Sequence, residues 1–301
     1  MGASDRVAEP LAPEVARENA PATASGDISG TPAVRYEVRD PGVAVVTFDR
    51  PERLNTWARD ISSGFYAAID RADADPDVRV IVWTGNGRAF CAGADLGSAS
   101  GESLGAGLQK TDGTNVSRLV GERHPYFLTT VRKPIIAAIN GACVGIGLTH
   151  ALMCDIRFAA AGAKFNTAFA RRGLIAEYGI SWILPRLAGW GVATELLLSG
   201  RTFRAEEAHR LGLVHDVVPA EELTEHTLAY AEDIARNCAP ASLAVIKQQL
   251  YGDAMDGVVD VSARAEKLMH ESLRRPDVIE GITSFIEKRQ PAFPPLAPSD
   301  P

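Results

Sequence analysis

The chain has 301 residues, 46% hydrophobic and 23% charged, which places it among folded globular proteins and excludes disordered, collagen-like and coiled-coil classes for its bulk. Its 31 Lys and Arg face 38 Asp and Glu, a net charge of -7. That balance argues against a nucleic-acid or anionic-membrane binder, which needs clustered positive charge, yet allows an anionic small ligand held by a few Arg or Lys and by helix N-termini.

Residues 1–33 are rich in Ala, Pro, Ser and Gly, lack an apolar period, and read as a disordered extension. Its acidic residues (Asp5, Glu9, Glu14, Glu18, Asp27) outnumber Arg6 and Arg17, unlike a transit peptide, and no secretory signal opens the chain. A cytoplasmic protein is expected. Val43–Phe48 is a strand-type run closed by Asp49-Arg50-Pro51, and Ile61, Phe65, Ala68, Ile69 and Ala72 stripe a helix over 61–73. Val78–Trp83 predicts the next strand, broken at Thr84-Gly85-Asn86-Gly87. A loop of small residues follows over 85–113, then helix signals from near Asn115 to just before Pro134. Ile135–Ile139 predicts a buried strand, 147–154 a short apolar helix, and 155–159 another strand. Asn140, Thr149, His150 and three glycines interrupt the apolar run 135–156, so it reads as strand, loop and helix rather than a membrane span. Strand, helix, strand with short links predicts parallel pairing in a layered α/β core.

After about Tyr178 the pattern becomes mostly helical, with a stripe of Leu223, Thr227, Tyr230, Ala231, Ile234 and Cys238 and further helices from about Ala241 and over 278–289. The four cysteines (Cys91, Cys143, Cys154, Cys238) show no C-x-x-C pairing and read as reduced, mostly buried thiols.

Common site patterns fail. Gly85-Asn-Gly87 and Gly145-Ile-Gly147 each lack the third glycine of a dinucleotide fingerprint, and no P-loop, G-x-S-x-G elbow or zinc-type cluster occurs. The six dispersed histidines read as structural or solvated. Two glycine-rich strand ends remain, Phe90-Cys-Ala-Gly-Ala-Asp-Leu96 and Asn140-Gly-Ala-Cys-Val-Gly-Ile-Gly147. Small residues let a ligand approach backbone N–H groups, a helix N-terminus adds positive potential, and two N–H groups on one oxygen would form an oxyanion hole. Taken singly, each loop could equally be a plain turn.

With Arg50-Pro-Glu-Arg-Leu-Asn55, Lys133-Pro-Ile-Ile-Ala-Ala-Ile-Asn-Gly141, Met153-Cys-Asp-Ile-Arg-Phe158 and Phe285-Ile-Glu-Lys-Arg289 in the same order, the sequence resembles the enoyl-CoA hydratase/isomerase (crotonase) family over about residues 34–294. The resemblance implies an α/β fold: a crotonase-like spiral of ββα units over 34–240 and a C-terminal helical oligomerisation region over 241–301. It implies coenzyme A thioester substrates, with no separate cofactor and no metal, and a homotrimer or hexamer. It maps the oxyanion-hole amides to Ala94 and Ile146, the pantetheine and adenine strip to Arg53, Leu54, Ala92 and Leu96, and a neighbouring subunit's nucleotide contacts to Phe285 and Lys288. An exposed helix charge is the plain alternative for Lys288.

The chain departs from the family where hydratases carry two glutamates. Thr149 and Phe169 stand at those positions, lining the substrate, and neither side chain replaces a carboxylate base. Glu177, in Gly173-Leu-Ile-Ala-Glu-Tyr-Gly179, resembles the acidic residue of some family isomerases and would suit a dry pocket with a raised pKa. Its alternative is a helix-terminal Glu that favours the dipole. The expected reaction is double-bond isomerisation of an enoyl-CoA. The alternatives are hydration with an atypical acid/base set, or a non-catalytic scaffold or RNA-binding relative, the last disfavoured by the acidic balance. Residues 97–113 are expected to cover the acyl tail, and Asp95 to hold its own turn.

Overall fold

The computed structural model describes residues 32–95 and 123–297. The expected extension over 1–33, apart from its last two residues, lies outside the described residues, as do Leu96, the cover segment and the first part of the helix expected from Asn115; of the rest of that helix, only Pro125–Thr129 is helical, as a 3-10 segment. Ala33 already belongs to the core: it is buried, and its carbonyl accepts the Asp49 N–H at 2.8 Å.

Six strands form one sheet in the order β1 (Val34–Arg39), β2 (Val43–Phe48), β3 (Val80–Gly85), β5 (Ile135–Ile139), β7 (Ile156–Ala160), β10 (Asp216–Val218). β1 and β2 make an antiparallel hairpin, and every other pair in this sheet is parallel. Four short strands, β4 (Ala89–Cys91), β6 (Ala142–Val144), β8 (Lys164–Asn166) and β9 (Thr202–Arg204), form a second sheet in that order. The runs in β2, β3 and β5 are continuously apolar because both faces are covered. Val46, Ile81, Trp83 and Ala137 face a core shared with helices α1 (Arg59–Ala74) and α2 (Ile146–Met153). Val45, Val80, Val82 and Ile136 face a separate cluster capped by Leu223, Ala231 and Ala235.

Helix α3 (Ile180–Ser199) contains Pro185 and breaks at Gly189, whose φ of 79° and ψ of 161° are not helical. α4 (Ala205–Arg210), α5 (Leu223–Asn237), α6 (Pro240–Gly252), α7 (Val258–Ser272) and α8 (Pro276–Glu287) complete the described chain. The region after Tyr178 is thus not purely helical, since β9 and β10 lie within it. Strand β3 starts two residues later than its apolar run suggests, because the Val78 N–H turns back to the Asp75 carbonyl at 3.1 Å.

α6 is fastened to the large sheet. Lys247 Nζ pairs with Asp155 Oδ2 at 2.7 Å and donates to the Lys133 carbonyl at 3.1 Å. Tyr251 donates its hydroxyl to Asp155 Oδ1 at 3.1 Å, and the Ile135 N–H donates to Oδ2 at 2.7 Å. The partly buried charge pair is therefore surrounded by partners, the condition under which such a pair is tolerated. Beyond it, α7 buries no residue of its own despite an apolar stripe, and Leu250, Val258, Val259, Leu273, Ile279 and Phe285 are exposed.

Candidate active site

The site begins at a staple. Pro51–Arg53 forms one 3-10 turn, after which Leu54 and Asn55 both adopt left-handed backbone, with φ of 55° and 52°. Asn is among the few non-glycine residues that accept this conformation readily. The buried Asn55 accepts the Arg50 N–H at 2.9 Å and donates to the carbonyls of Asn86 at 3.0 Å and Ala89 at 2.7 Å. Asn140 reaches the same strand from the other side, donating to Gly87 at 2.8 Å and Ala89 at 3.3 Å.

Held by these amides, the end of β4 pairs with residues 54–57. The Ala92 N–H donates to Leu54 at 3.2 Å, the Trp57 N–H to Gly93 at 2.7 Å, and the Asp95 N–H to Trp57 at 3.0 Å. Trp57 is thus bridged in parallel to Ala94 through the residues on either side of it. In such a bridge the N–H of Ala94 itself points away from Trp57, toward the side on which β6 pairs with β4. Gly93 sits at φ 102°, a conformation that needs glycine.

β6 is followed by Gly145 (φ 53°), whose N–H is held by the Asn166 carbonyl at 2.9 Å, and the chain turns directly into α2. No side chain caps this helix, so the Ile146 N–H belongs to the open first turn, where the dipole is positive. The two loops touch closely: a Cβ on Gly147 would stand 2.6 Å from Cys91 Cβ and 2.7 Å from its carbonyl oxygen. Only glycine permits that approach. The structure therefore brings the Ala94 and Ile146 segments side by side, and among the described residues neither N–H donates to another backbone carbonyl.

The Arg53 guanidinium lies 3.3 Å from Asp95 Oδ2, so Asp95 reaches across to the neighbouring loop. Thr149 is fully buried and donates its hydroxyl to the Gly145 carbonyl at 3.1 Å. Phe169 is buried and opens a tight turn in which its carbonyl accepts the Leu174 N–H at 3.0 Å. Glu177 is half-buried, three residues before α3, and its carbonyl accepts the Ile180 N–H. Tyr178 and Gly179 follow in left-handed backbone, with Gly179 against Met153 at the end of α2. Loss of water raises the Glu177 carboxyl above its ordinary range, and burial plus the neighbouring Glu177 charge pushes the Tyr178 hydroxyl up to about 12. Phe285 is 84% exposed, and Lys288, also exposed, ends α8 at φ 56°.

Sequence reasoning passed over Trp57, Tyr66 and His150. His150 is completely buried and stacks on the Trp57 ring, with centroids 4.1 Å apart at 30°. A polar residue inside the apolar run of α2 was the available signal. Among the described residues no group of His, Cys, Asp and Glu could hold a metal ion, and no helix is long and apolar enough to cross a membrane. The cysteines are free, and all but Cys238 are fully buried.

The family model for enoyl-CoA hydratase/isomerase matches residues 39–295. A probable enoyl-CoA hydratase of Rhodobacter capsulatus is 35% identical over 263 residues, 86% of this chain and 97% of its own length. The 1,2-epoxyphenylacetyl-CoA isomerase of Escherichia coli is 35% identical over 260 residues, 84% of this chain and 95% of its own. The crystal structure of an enoyl-CoA hydratase from Mycobacterium marinum is 60% identical, with a TM-score of 0.63 over 74% of this chain and 99% of that one.

Proposed function

The chain belongs to the enoyl-CoA hydratase/isomerase family, and from that premise we propose that it shifts the double bond of an enoyl-CoA, with Glu177 as its base. The thioester carbonyl accepts the N–H groups of Ala94 and Ile146, while Arg53, Leu54, Ala92 and Leu96 cradle the pantetheine and adenine. Glu177 removes a proton from C2 of a 3-enoyl thioester. The electron pair moves onto the carbonyl oxygen, where the two N–H groups stabilise it. Returning the proton at C4 leaves the double bond between C2 and C3, so a single base completes the reaction without water. Coenzyme A arrives as part of the substrate, and no resident cofactor enters.

The observation that carries this reading is the placement of carboxylates. Buried Thr149 and Phe169 stand at the two hydratase positions, while Glu177 is half-buried, with its carboxyl raised by loss of water. Such a carboxyl is a stronger base than an exposed one. Hydration, with Glu177 and an ordered water, is the second reading, favoured by relatives that bear the name hydratase. Incubation with 2-enoyl- and 3-enoyl-CoA thioesters followed by product mass spectrometry separates them, because hydration adds the mass of water and isomerisation adds nothing. Glu177→Gln is expected to lower isomerisation by about 100- to 10,000-fold and to leave coenzyme A affinity unchanged. Full activity in that variant, or hydration of 2-enoyl-CoA with 3-enoyl-CoA untouched, overturns the proposal.

The exposed apolar side chains of α6–α8 support an assembled enzyme, a homotrimer or a hexamer of paired trimers, because patches of this kind on a lone chain mark contact surfaces. In that assembly Phe285 and Lys288 close a neighbour's nucleotide pocket. Light scattering that finds a stable, active monomer refutes it.

A further inference from the structure

We propose that His150 is the positioning residue of the oxyanion hole, its ring nitrogen Nδ1 holding the Ile146 peptide while its face braces the strand that carries Ala94. The proposal rests on the reading of Ala94 and Ile146 as the carbonyl's donors. His150 Nδ1 lies 2.9 Å from the Ile146 carbonyl oxygen, and Nε2 lies 3.1 Å from the Tyr66 hydroxyl. A carbonyl can only accept, so Nδ1 must carry the ring's proton. Loss of water holds the ring's pKa down to about 3, so the ring is neutral and Nε2 is left as an acceptor. The single proton of the Tyr66 hydroxyl goes to the Arg123 carbonyl at 2.7 Å, so the 3.1 Å approach of its oxygen to Nε2 is a packing contact. The Ile146 carbonyl alone therefore sets the tautomer.

Two consequences meet at one ring. The first concerns α2, whose opening N–H groups no side chain caps. The Ile146 N–H shares its peptide plane with the Gly145 carbonyl, which the Thr149 N–H and hydroxyl hold at 2.9 and 3.1 Å; His150 fixes the next plane, that of the Ile146 carbonyl, so both planes that meet at the Ile146 Cα are held. The second concerns Trp57, on which the imidazole stacks and whose backbone bridges Ala94. Tyr66 is anchored in α1, so the ring cannot swing out of either contact. An aliphatic residue at this position would fill the space and orient nothing. A group held within a fraction of an ångström decides how well a developing charge is met.

The test compares two polar replacements of similar size. His150→Asn places an amide N–H where Nδ1 stood, whereas His150→Gln reaches the Nε2 position and leaves the Ile146 carbonyl without its side-chain donor. Circular dichroism first confirms that each folds. The readouts are kcat, affinity for free coenzyme A, and the infrared carbonyl stretch of a bound acyl-CoA carrying carbon-13 at the thioester. His150→Gln is expected to fall about tenfold or more below His150→Asn in kcat, with coenzyme A affinity equal in both, and to lose the downshift of the carbonyl stretch that His150→Asn keeps. Equal kcat and equal carbonyl shifts in the two folded variants overturn the proposal. If instead the wild-type protein shows no carbonyl downshift, the assignment of Ala94 and Ile146 fails, and the role of His150 falls with it. Should either variant fail to fold, His150→Phe takes its place, keeping a ring against Trp57 while removing the Nδ1 donor: a lost carbonyl shift with coenzyme A affinity kept supports the coupling, and an unchanged shift and kcat refute it.

Discussion

Replacing Asn55 by Ala removes three hydrogen bonds at once. The Arg50 N–H loses its acceptor, and the carbonyls of Asn86 and Ala89 lose a donor. A typical internal hydrogen bond contributes about 1 kcal/mol net, so the bonds alone account for about 3 kcal/mol. Asn140 still reaches Ala89 at 3.3 Å and offsets part of that loss. The left-handed backbone of residue 55 adds about 1 kcal/mol for Ala, giving about 3–4 kcal/mol in all. Urea unfolding is the assay, with an unchanged slope showing that the midpoint shift reports stability. Asn55→Gly is expected to recover about 1 kcal/mol of the loss, because glycine adopts positive φ freely. Asn55→Asp keeps the acceptor for Arg50 but turns an oxygen toward two carbonyls, so it is expected to be no better than Ala. An Asn55→Ala protein within about 1 kcal/mol of wild type, or an Asn55→Asp protein indistinguishable from it, refutes the staple.

Three further outcomes are expected. His150 is held neutral to about pH 3, whereas the unfolded chain protonates it near 6.5, so its contribution to stability is complete above pH 6.5 and is lost as pH falls through that window, by at most about 1.4 kcal/mol per unit. Unfolding curves of wild type and His150→Asn between those limits check this, and parallel pH dependences contradict it. Because burial raises the Glu177 carboxyl, kcat is expected to rise with pH through a range above that of an ordinary carboxylate, and a limb at the usual carboxylate pKa sinks the assignment. Lys288→Ala is expected to weaken coenzyme A binding more than it lowers turnover, and calorimetric titration showing unchanged affinity removes Lys288 from the nucleotide pocket.

The parts of the fold that could be read in advance are those buried on both faces. β2 and β5 begin and end where their apolar runs do, because every residue in them meets a core. The short strands β4, β6, β8 and β9 escaped notice, since three residues cannot establish a period. β1 escaped because only one of its faces is covered, with Val34 and Tyr36 packed inward. At the site, the glycines were legible because loops that touch must lack side chains, as Gly147 against Cys91 demonstrates. The His150–Tyr66 pair was not legible: its members lie 84 residues apart, and only the packing of α1 on α2 joins them.

The charge cluster on Asp155 bears on the order in which the molecule is completed. Asp155 and Lys247 are 92 residues apart, so a growing chain has made both parallel strands flanking that carboxylate long before its cation exists. Until α6 emerges, an anion stands at the rim of the sheet without its counter-ion, and an incomplete chain stays less settled than a finished one. The helices that cure this defect are those that carry the exposed apolar surface. Synthesis therefore delivers that apolar surface and the carboxylate's cation together, and a chain cut before α6 has neither.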